Sequence, residues 1–209
     1  MMAAARQRLF FALWPDDDTR AALARLARRQ LQSGNGRLID AHNLHLTLAF
    51  LGPVDAAFRA CAERAADSLA APAFELEFQR LGYWPRPRVL WAAPERSPEA
   101  LTGLVSMLRK ALAACGQEPE SRPFEAHMTL ARKVRGPVGN TTHTSARASD
   151  RHGRRECRGL SGTIPACFAL PRPSLDSLVR WPVFEFHLVE SETLPQGARY
   201  RPLGSWPLG

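Results

Sequence analysis

Two His-x-Thr tripeptides, His45-Leu46-Thr47 and His127-Met128-Thr129, stand at matching points of an internal repeat, and that repeat constrains the fold of the 209 residues more than any other feature. The first copy opens with the apolar run Leu9 to Trp14, closed by Pro15; the second opens with Val89 to Ala93, closed by Pro94. Short apolar runs that stop at proline read as buried strands. Helix-start chemistry follows each: Asp16-Asp17-Asp18 in the first copy, and in the second Ser97 as N-cap with Pro98 at the first helical position. Leu23, Leu26, Ala27 and Leu31 then recur on one helical face, as do Leu101, Leu104, Val105, Leu108 and Leu112, and Gly34 and Gly116 supply C-terminal stops. From Pro15 to His45 is 30 positions and from Pro94 to His127 is 33, so each helix returns the chain to a His-x-Thr strand after a similar excursion.

A third element recurs as well, because Phe74 to Phe78 alternates like a strand with one buried face and Val183 to Val189 does the same after the second motif. The first copy also carries an amphipathic helix capped near Asp55, with Phe58, Cys61, Ala62, Ala65 and Leu69 on one face. The second copy has no counterpart. Residues 136–177 instead lose periodicity and carry Gly, Ser, Thr and Pro with Arg147, Arg151, Arg154, Arg155 and Arg158, which reads as a flexible insertion in an otherwise single, two-lobed domain.

On a strand, residues i and i+2 share a face. His45 with Thr47, and His127 with Thr129, therefore each present an imidazole beside a hydroxyl while the intervening Leu46 and Met128 face a core. Two lobes packed about a pseudo-twofold axis would bring all four polar groups to one cleft with the imidazoles on opposite sides. In-line displacement at phosphorus needs one proton removed from the nucleophile and one given to the departing oxygen, and two histidines can do both near neutral pH. The threonine hydroxyls can donate to non-bridging oxygens and a guanidinium can grip them. Arg132 is the nearest candidate, although a strict pleat sends it to the opposite face from His127 and Thr129, so its reach requires a bulge or bend. His143-Thr144-Ser145 also fits the tripeptide pattern but lacks strand context, so placement in the repeat carries the signal.

With 28 Lys and Arg against 20 Asp and Glu, a formal charge of +8 favours polyanionic partners. The apolar run near the N-terminus is too short for a secretory segment and no stretch is long enough to span a membrane, which gives the expectation of a cytoplasmic protein without a membrane partner. Cys61, Cys115, Cys157 and Cys167 show no close spacing, so reduced thiols are expected. No tight ligand pair marks a metal site, even where His143, His152, Cys157 and Cys167 share the insertion. His42 reads as a loop residue, His187 as part of a solvated sheet face, and Phe10, Phe11 and Trp14 as core rings that could also stack a base.

The segments Arg8 to Pro15, Leu44 to Gly52, His127 to Arg132 and Phe186 to Ser191, followed by Gly197 and Tyr200, resemble the two-histidine (2H) phosphoesterase superfamily, specifically its RNA 2′,3′-cyclic phosphodiesterases, also described as 2′-5′ RNA ligases. The likeness covers the chain except the insertion. It implies an α+β, bilobal (LigT-like) fold with antiparallel sheets around a central cleft and helices outside. It also implies hydrolysis of a terminal 2′,3′-cyclic phosphate to a 2′-phosphate, without cofactor or metal, with RNA ends as the partner and a monomer as the working state. Carried over by motif, His45 is the proton donor, His127 the proton acceptor, and Thr47, Thr129 and Arg132 bind the phosphate; reversal would give 2′-5′ ligation. Ala126 departs from the proline common before the second histidine. Two other readings stay open: an RNA-end or phosphate-binding protein without turnover, and a phosphodiesterase acting on a small cyclic nucleotide.

Overall fold

The computed structural model describes residues 6–31, 35–118, 120–135, 168–169, 179–195 and 197–209. Gly34 and nearly all of 136–177, with His143, His152, Cys157 and Cys167, lie outside the described residues, and so does any test of the insertion.

Strand β1 (Gln7–Leu13) leads through Pro15 into helix α1 (Asp17–Gln30). Asp16 caps that helix, its carboxylate accepting from the Thr19 amide at 2.8 Å and the Thr19 hydroxyl at 2.9 Å, so an otherwise orphaned end amide is satisfied. The two-residue strand β2 (Arg37–Leu38) and a 3-10 turn at Ala41–Asn43 precede β3 (Leu46–Val54). Helix α2 (Ala56–Asp67) follows, capped by Asp55, which accepts from the Phe58 amide at 2.8 Å. Strands β4 (Phe74–Phe78), β5 (Arg80–Trp84) and β6 (Val89–Ala93) come next, then helix α3 (Glu99–Ala114), which buries the expected Leu101, Leu104, Val105, Leu108 and Leu112. Strands β7 (Met128–Arg132), β8 (Phe168–Ala169), β9 (Val179–Val183), β10 (Glu185–Leu194) and β11 (Gly197–Pro207) complete the described elements.

Three expectations need correction. Helix α3 starts one residue late: Pro98 is itself the cap, because its ψ of 145° is extended although its φ of −54° is helical, and no side chain caps the turn. Cys61 of α2 and Cys115 at the end of α3 form a disulfide with Cα atoms 5.8 Å apart, not two reduced thiols. They lie 54 residues apart in sequence and meet only because two helices pack, a tertiary event that spacing does not report. Finally, the counterpart of Phe74–Phe78 is Val179–Val183 and not Val183 to Val189. The latter run breaks at Phe184, and two consecutive strands with the same alternation look alike in sequence.

Eight strands of the main sheet run in the order β11-β10-β1-β3-β7-β6-β5-β8, with β2 alongside β7, while β4 and β9 form a separate antiparallel ribbon. The sheet is two half-sheets, β11-β10-β1-β3 and β7-β6-β5-β8, joined at one residue pair, Leu46 with Met128. Strand β1 corresponds to β6, β3 to β7, β10 to β5, and the ribbon pairs the equivalent strands β4 and β9 across the pseudo-twofold. One face of the sheet shares the main core with the helices, where Leu9, Phe11, Leu23, Leu46, Leu104 and Met128 are all wholly buried. The other face carries two small clusters, one of Phe10, Ala12 and Val189 with Trp14 and Tyr200, the other of Val89, Trp91 and Ala93 with Trp84. Among the described residues no helix is long and apolar enough to cross a membrane.

Candidate active site

The pair Leu46–Met128 fixes the geometry of the site. Both side chains are wholly buried in the main core, so the residues on either side of each point to the opposite face. Continuing the antiparallel register by one residue sets His45 across from Thr129 and Thr47 across from His127. The two motifs meet as a diagonal pair of His-Thr couples, all four residues half-buried.

Each histidine sits just before its strand, where the chain turns, and each Nδ1 lies 2.8 Å from the carbonyl oxygen two residues earlier, Asn43 for His45 and Glu125 for His127. A carbonyl only accepts, so Nδ1 carries the proton in both rings and Nε2 is the nitrogen left for chemistry. The same bond holds both imidazoles in the same way. Thr47 and Thr129 hydroxyls donate to none of the described residues, which leaves both available to an incoming anion.

The walls differ. His45 stacks on Trp14 with centroids 5.4 Å apart and planes 10° from parallel, and it also meets Phe10 and the edge of Tyr200, each at 5.0 Å. His127 meets Trp84 edge-on at 4.7 Å. Burial among these rings pushes the His45 pKa down to about 4, opposed by the Asn43 carbonyl and assisted by the charges of Arg132 and His127. Burial lowers the His127 pKa as well, opposed by the Glu125 carbonyl and carboxylate and assisted by Arg132.

Arg132 reaches this neighbourhood through a β-bulge. Along β7, Thr129 pairs with Trp91 and Ala131 with Leu90, so Leu130 is an extra residue. Leu130 and Ala131 are both buried in succession, and Arg132 then emerges exposed on the side of the histidines. The strand ends there, with Lys133 in the left-handed region at φ +55°. Strand β3 repeats the device: Thr47 pairs with Ala12 and Ala49 with Phe11, leaving Leu48 extra, and Phe50 takes the position equivalent to Arg132. The bulge that the arginine required is therefore part of the repeat.

Phe11 belongs to the main core, whereas Phe10 and Trp14 line the face of the site. Sequence reasoning did not single out Trp84, whose only signal was an aromatic residue ending a short strand before Pro85. His187, expected on a solvated face, has a side chain only 12% exposed, and burial lowers its pKa against the opposing charge of Glu185.

The profile of the 2′-5′ RNA ligase superfamily matches residues 15–158. The chain belongs to this superfamily. Among individual relatives, it is 37% identical over 126 residues to an RNA 2′,3′-cyclic phosphodiesterase of Escherichia coli, covering 60% of this chain and 72% of that one. It is 29% identical over 214 residues to the protein of the same name from Thermus thermophilus, covering 96% and 90%. The crystal structure of E. coli LigT in apo form superposes with a TM-score of 0.75 at 29% identity over 98% of this chain and 99% of that one. The LigT structure complexed with 3′-AMP gives 0.74 at 30% identity over 97% and 98%. The superfamily member described here is thus an α+β protein with the bilobal 2H phosphoesterase fold.

Proposed function

We propose that the chain is an RNA 2′,3′-cyclic phosphodiesterase that opens the terminal cyclic phosphate to a 2′-phosphate. The observation that carries this reading is the matched tethering of His45 and His127 through Nδ1 to backbone carbonyls, beside two threonines whose hydroxyls donate to none of the described residues. The names of the E. coli and T. thermophilus relatives supply the substrate class.

In this mechanism Thr47, Thr129 and Arg132 hold the non-bridging oxygens. His127 Nε2 takes a proton from water as the water oxygen bonds to phosphorus, and the P–O3′ bond breaks opposite it. His45, protonated at Nε2, gives its proton to the departing 3′ oxygen, so the products are a 2′-phosphate and a 3′-hydroxyl. The anionic substrate is what makes this protonation state accessible, because a negative charge beside His45 opposes the effects that hold its pKa near 4. With a 5′-hydroxyl in place of water the same transfers run in the same direction: the 5′ oxygen bonds to phosphorus, P–O3′ breaks, and the product is a 2′-5′ phosphodiester, so ligation needs only a different nucleophile.

Product analysis of an RNA ending in 2′,3′-cyclic phosphate is the test. The expected outcome is a 2′-phosphate end with wild type and almost none with His45→Ala. Saturable binding without product would favour an RNA-end binding protein, and turnover confined to small cyclic nucleotides would move the substrate class.

A further inference from the structure

The sign of the charge changes along the second motif strand. Glu118, Glu120 and Glu125 precede β7, whereas Arg132, Lys133 and Arg135 end and follow it. Residues 19–39, 78–94 and 126–135 carry several cations each and no Asp or Glu, and the fold brings part of each stretch to one corner. There β2 and β6 flank β7, with Arg37 opposite Arg132 and Leu90 opposite Ala131. Beyond the strand the Val134 amide donates to the Arg88 carbonyl at 3.1 Å, and the Arg135 amide donates to the carbonyl and side-chain oxygens of Asn35 at 3.2 and 3.0 Å. The Tyr83 hydroxyl donates to the Val134 carbonyl at 3.2 Å, so the backbone under the corner is tied from three sides.

Arg88, Lys133 and Arg135 stand exposed on this backbone, and the side chain of none has a hydrogen-bonded or ionic partner among the described residues. Elsewhere arginines meet carboxylates: Arg59 pairs with Glu63, Arg180 with Glu77 and Arg201 with Glu190. Cations held together without a carboxylate repel one another, and a polyanion offsets that repulsion while releasing its own counterions. In-line displacement says which polyanion. The 3′ oxygen departs at His45, so the nucleophile enters at His127 and whatever it is attached to extends over the second half-sheet. Water brings nothing further, whereas a 5′-hydroxyl brings a chain of phosphates. From His127 that chain can run back towards the glutamates or on past Arg132 to the corner, and repulsion disfavours the first. Six residues of extended chain separate His127 from Lys133, roughly 20 Å, so the corner meets phosphates several nucleotides into the strand.

We propose that the corner formed by Arg88, Lys133 and Arg135 binds the backbone phosphates of a second RNA strand, the one whose 5′-hydroxyl attacks in place of water. The inference rests on the function proposed above, whose geometry sets the direction of approach. The 5′ oxygen bonds to phosphorus and gives its proton to His127 Nε2, the P–O3′ bond breaks, the 3′ oxygen takes the proton of His45, and a 2′-5′ phosphodiester joins the strands. Contacts to phosphates carry no sequence information, so the length of the acceptor matters and its sequence does not.

The test uses the full chain and a decauridylate with a 5′-hydroxyl and a labelled 3′ end, which carries no cyclic phosphate. In fluorescence anisotropy the triple variant Arg88→Ala, Lys133→Ala, Arg135→Ala should bind it at least about tenfold more weakly, with the slope of log Kd against log salt smaller by about 2. Hydrolysis of adenosine 2′,3′-cyclic phosphate should stay within about twofold of wild type, while the yield of 2′-5′-linked product from that donor and the decauridylate should fall about tenfold. Arg88→Lys with Arg135→Lys keeps the charge and should bind like wild type. Unchanged affinity and slope in the triple variant overturn the proposal, and so does a parallel loss of hydrolysis of the small donor, which would make these residues part of the catalytic site. A raised KM for hydrolysis of a long RNA ending in cyclic phosphate, with decauridylate binding untouched, would assign the corner to the substrate's own strand and overturn it likewise. If the wild type hydrolyses no cyclic phosphate, the function proposed above fails by itself, and the anisotropy comparison still decides the corner in the same way.

Discussion

The two half-sheets share a backbone and differ in side chains. Both have a His-x-Thr strand, a bulge immediately after the threonine and an imidazole tethered by Nδ1 to the carbonyl two residues back. Around that common frame, among the described residues His45 sits beside three aromatic rings and His127 beside one, and the residue beyond the bulge is Phe50 in the first half and Arg132 in the second. Duplication of a strand and bulge supplies a symmetric pair of proton carriers. Displacement at phosphorus is directional, so the pair becomes useful only when the surroundings make one member unlike the other.

The symmetric part is broken most severely at the histidines. His45→Ala and His127→Ala should each lower kcat/KM for a cyclic-phosphate substrate by roughly 10³-fold, and the double variant should lose little more than either single one, because a proton relay missing one carrier gains nothing from the other. Steady-state kinetics of the three variants decide this. A His127→Ala enzyme with wild-type activity would remove the basis for pairing the two motifs.

Arg132 and Phe50 test the asymmetric part, since the repeat places them alike and only chemistry separates them. Arg132→Ala should lower kcat by roughly 10²-fold through loss of charge on the phosphoryl oxygens, whereas Phe50→Ala, at a position 46% exposed, should change kcat by no more than about threefold. Equal losses would mean that the bulge, rather than the guanidinium, is what matters at this position.

Much of this frame was legible in the sequence because it depends on local pattern. The proline-terminated runs, the capping aspartates Asp16 and Asp55, and the apolar face of α3 are each written in contiguous residues, and β1, β6 and three helices follow from them. The need for a bulge before Arg132 was readable from the pleat, but that the bulge occurs twice was not, because it exists only in the register against β1 and β6. For the same reason the sequence did not reveal Trp84 against His127, His187 beside Ala12, or the exchange by which the late strand β10 joins the first half-sheet. These are contacts between segments far apart in the chain.

The disulfide is another such contact, and it ties α2, which follows the first motif strand, to α3, which precedes the second. Closing a loop of 54 residues restricts the unfolded chain, by at most about 4 kcal/mol on loop length alone. Cys115→Ser should therefore lower the denaturation midpoint measured by circular dichroism, with kcat in native buffer within about twofold of wild type. A large fall in kcat without loss of stability would show instead that the link sets the relation of the two motifs.

The smallest effect expected is on the pH profile, and it bears most directly on how the two histidines differ. Burial and the Arg132 charge hold both imidazoles below 6.5 in the free protein, His45 at about 4. Under the proposed mechanism the productive form has His45 protonated and His127 neutral, so in kcat/KM, which reports the free enzyme, activity should fall as pH rises through the acidic range where His45 loses its proton. In the complex the cyclic phosphate places a negative charge beside His45, favours the imidazolium and raises that pKa, so the basic limb of kcat should lie at higher pH than that of kcat/KM. Arg132 acts in the opposite sense to the phosphate. Replacing it with alanine removes a positive charge that disfavours both imidazolium ions, and the residual kcat/KM profile should shift to higher pH. Parallel kcat and kcat/KM profiles measured from about pH 4 to 9 check both shifts. Coincident basic limbs in the wild type would mean that the bound anion does not reset His45, and the proton donor would then have to be sought at His127, with the roles of the two lobes exchanged.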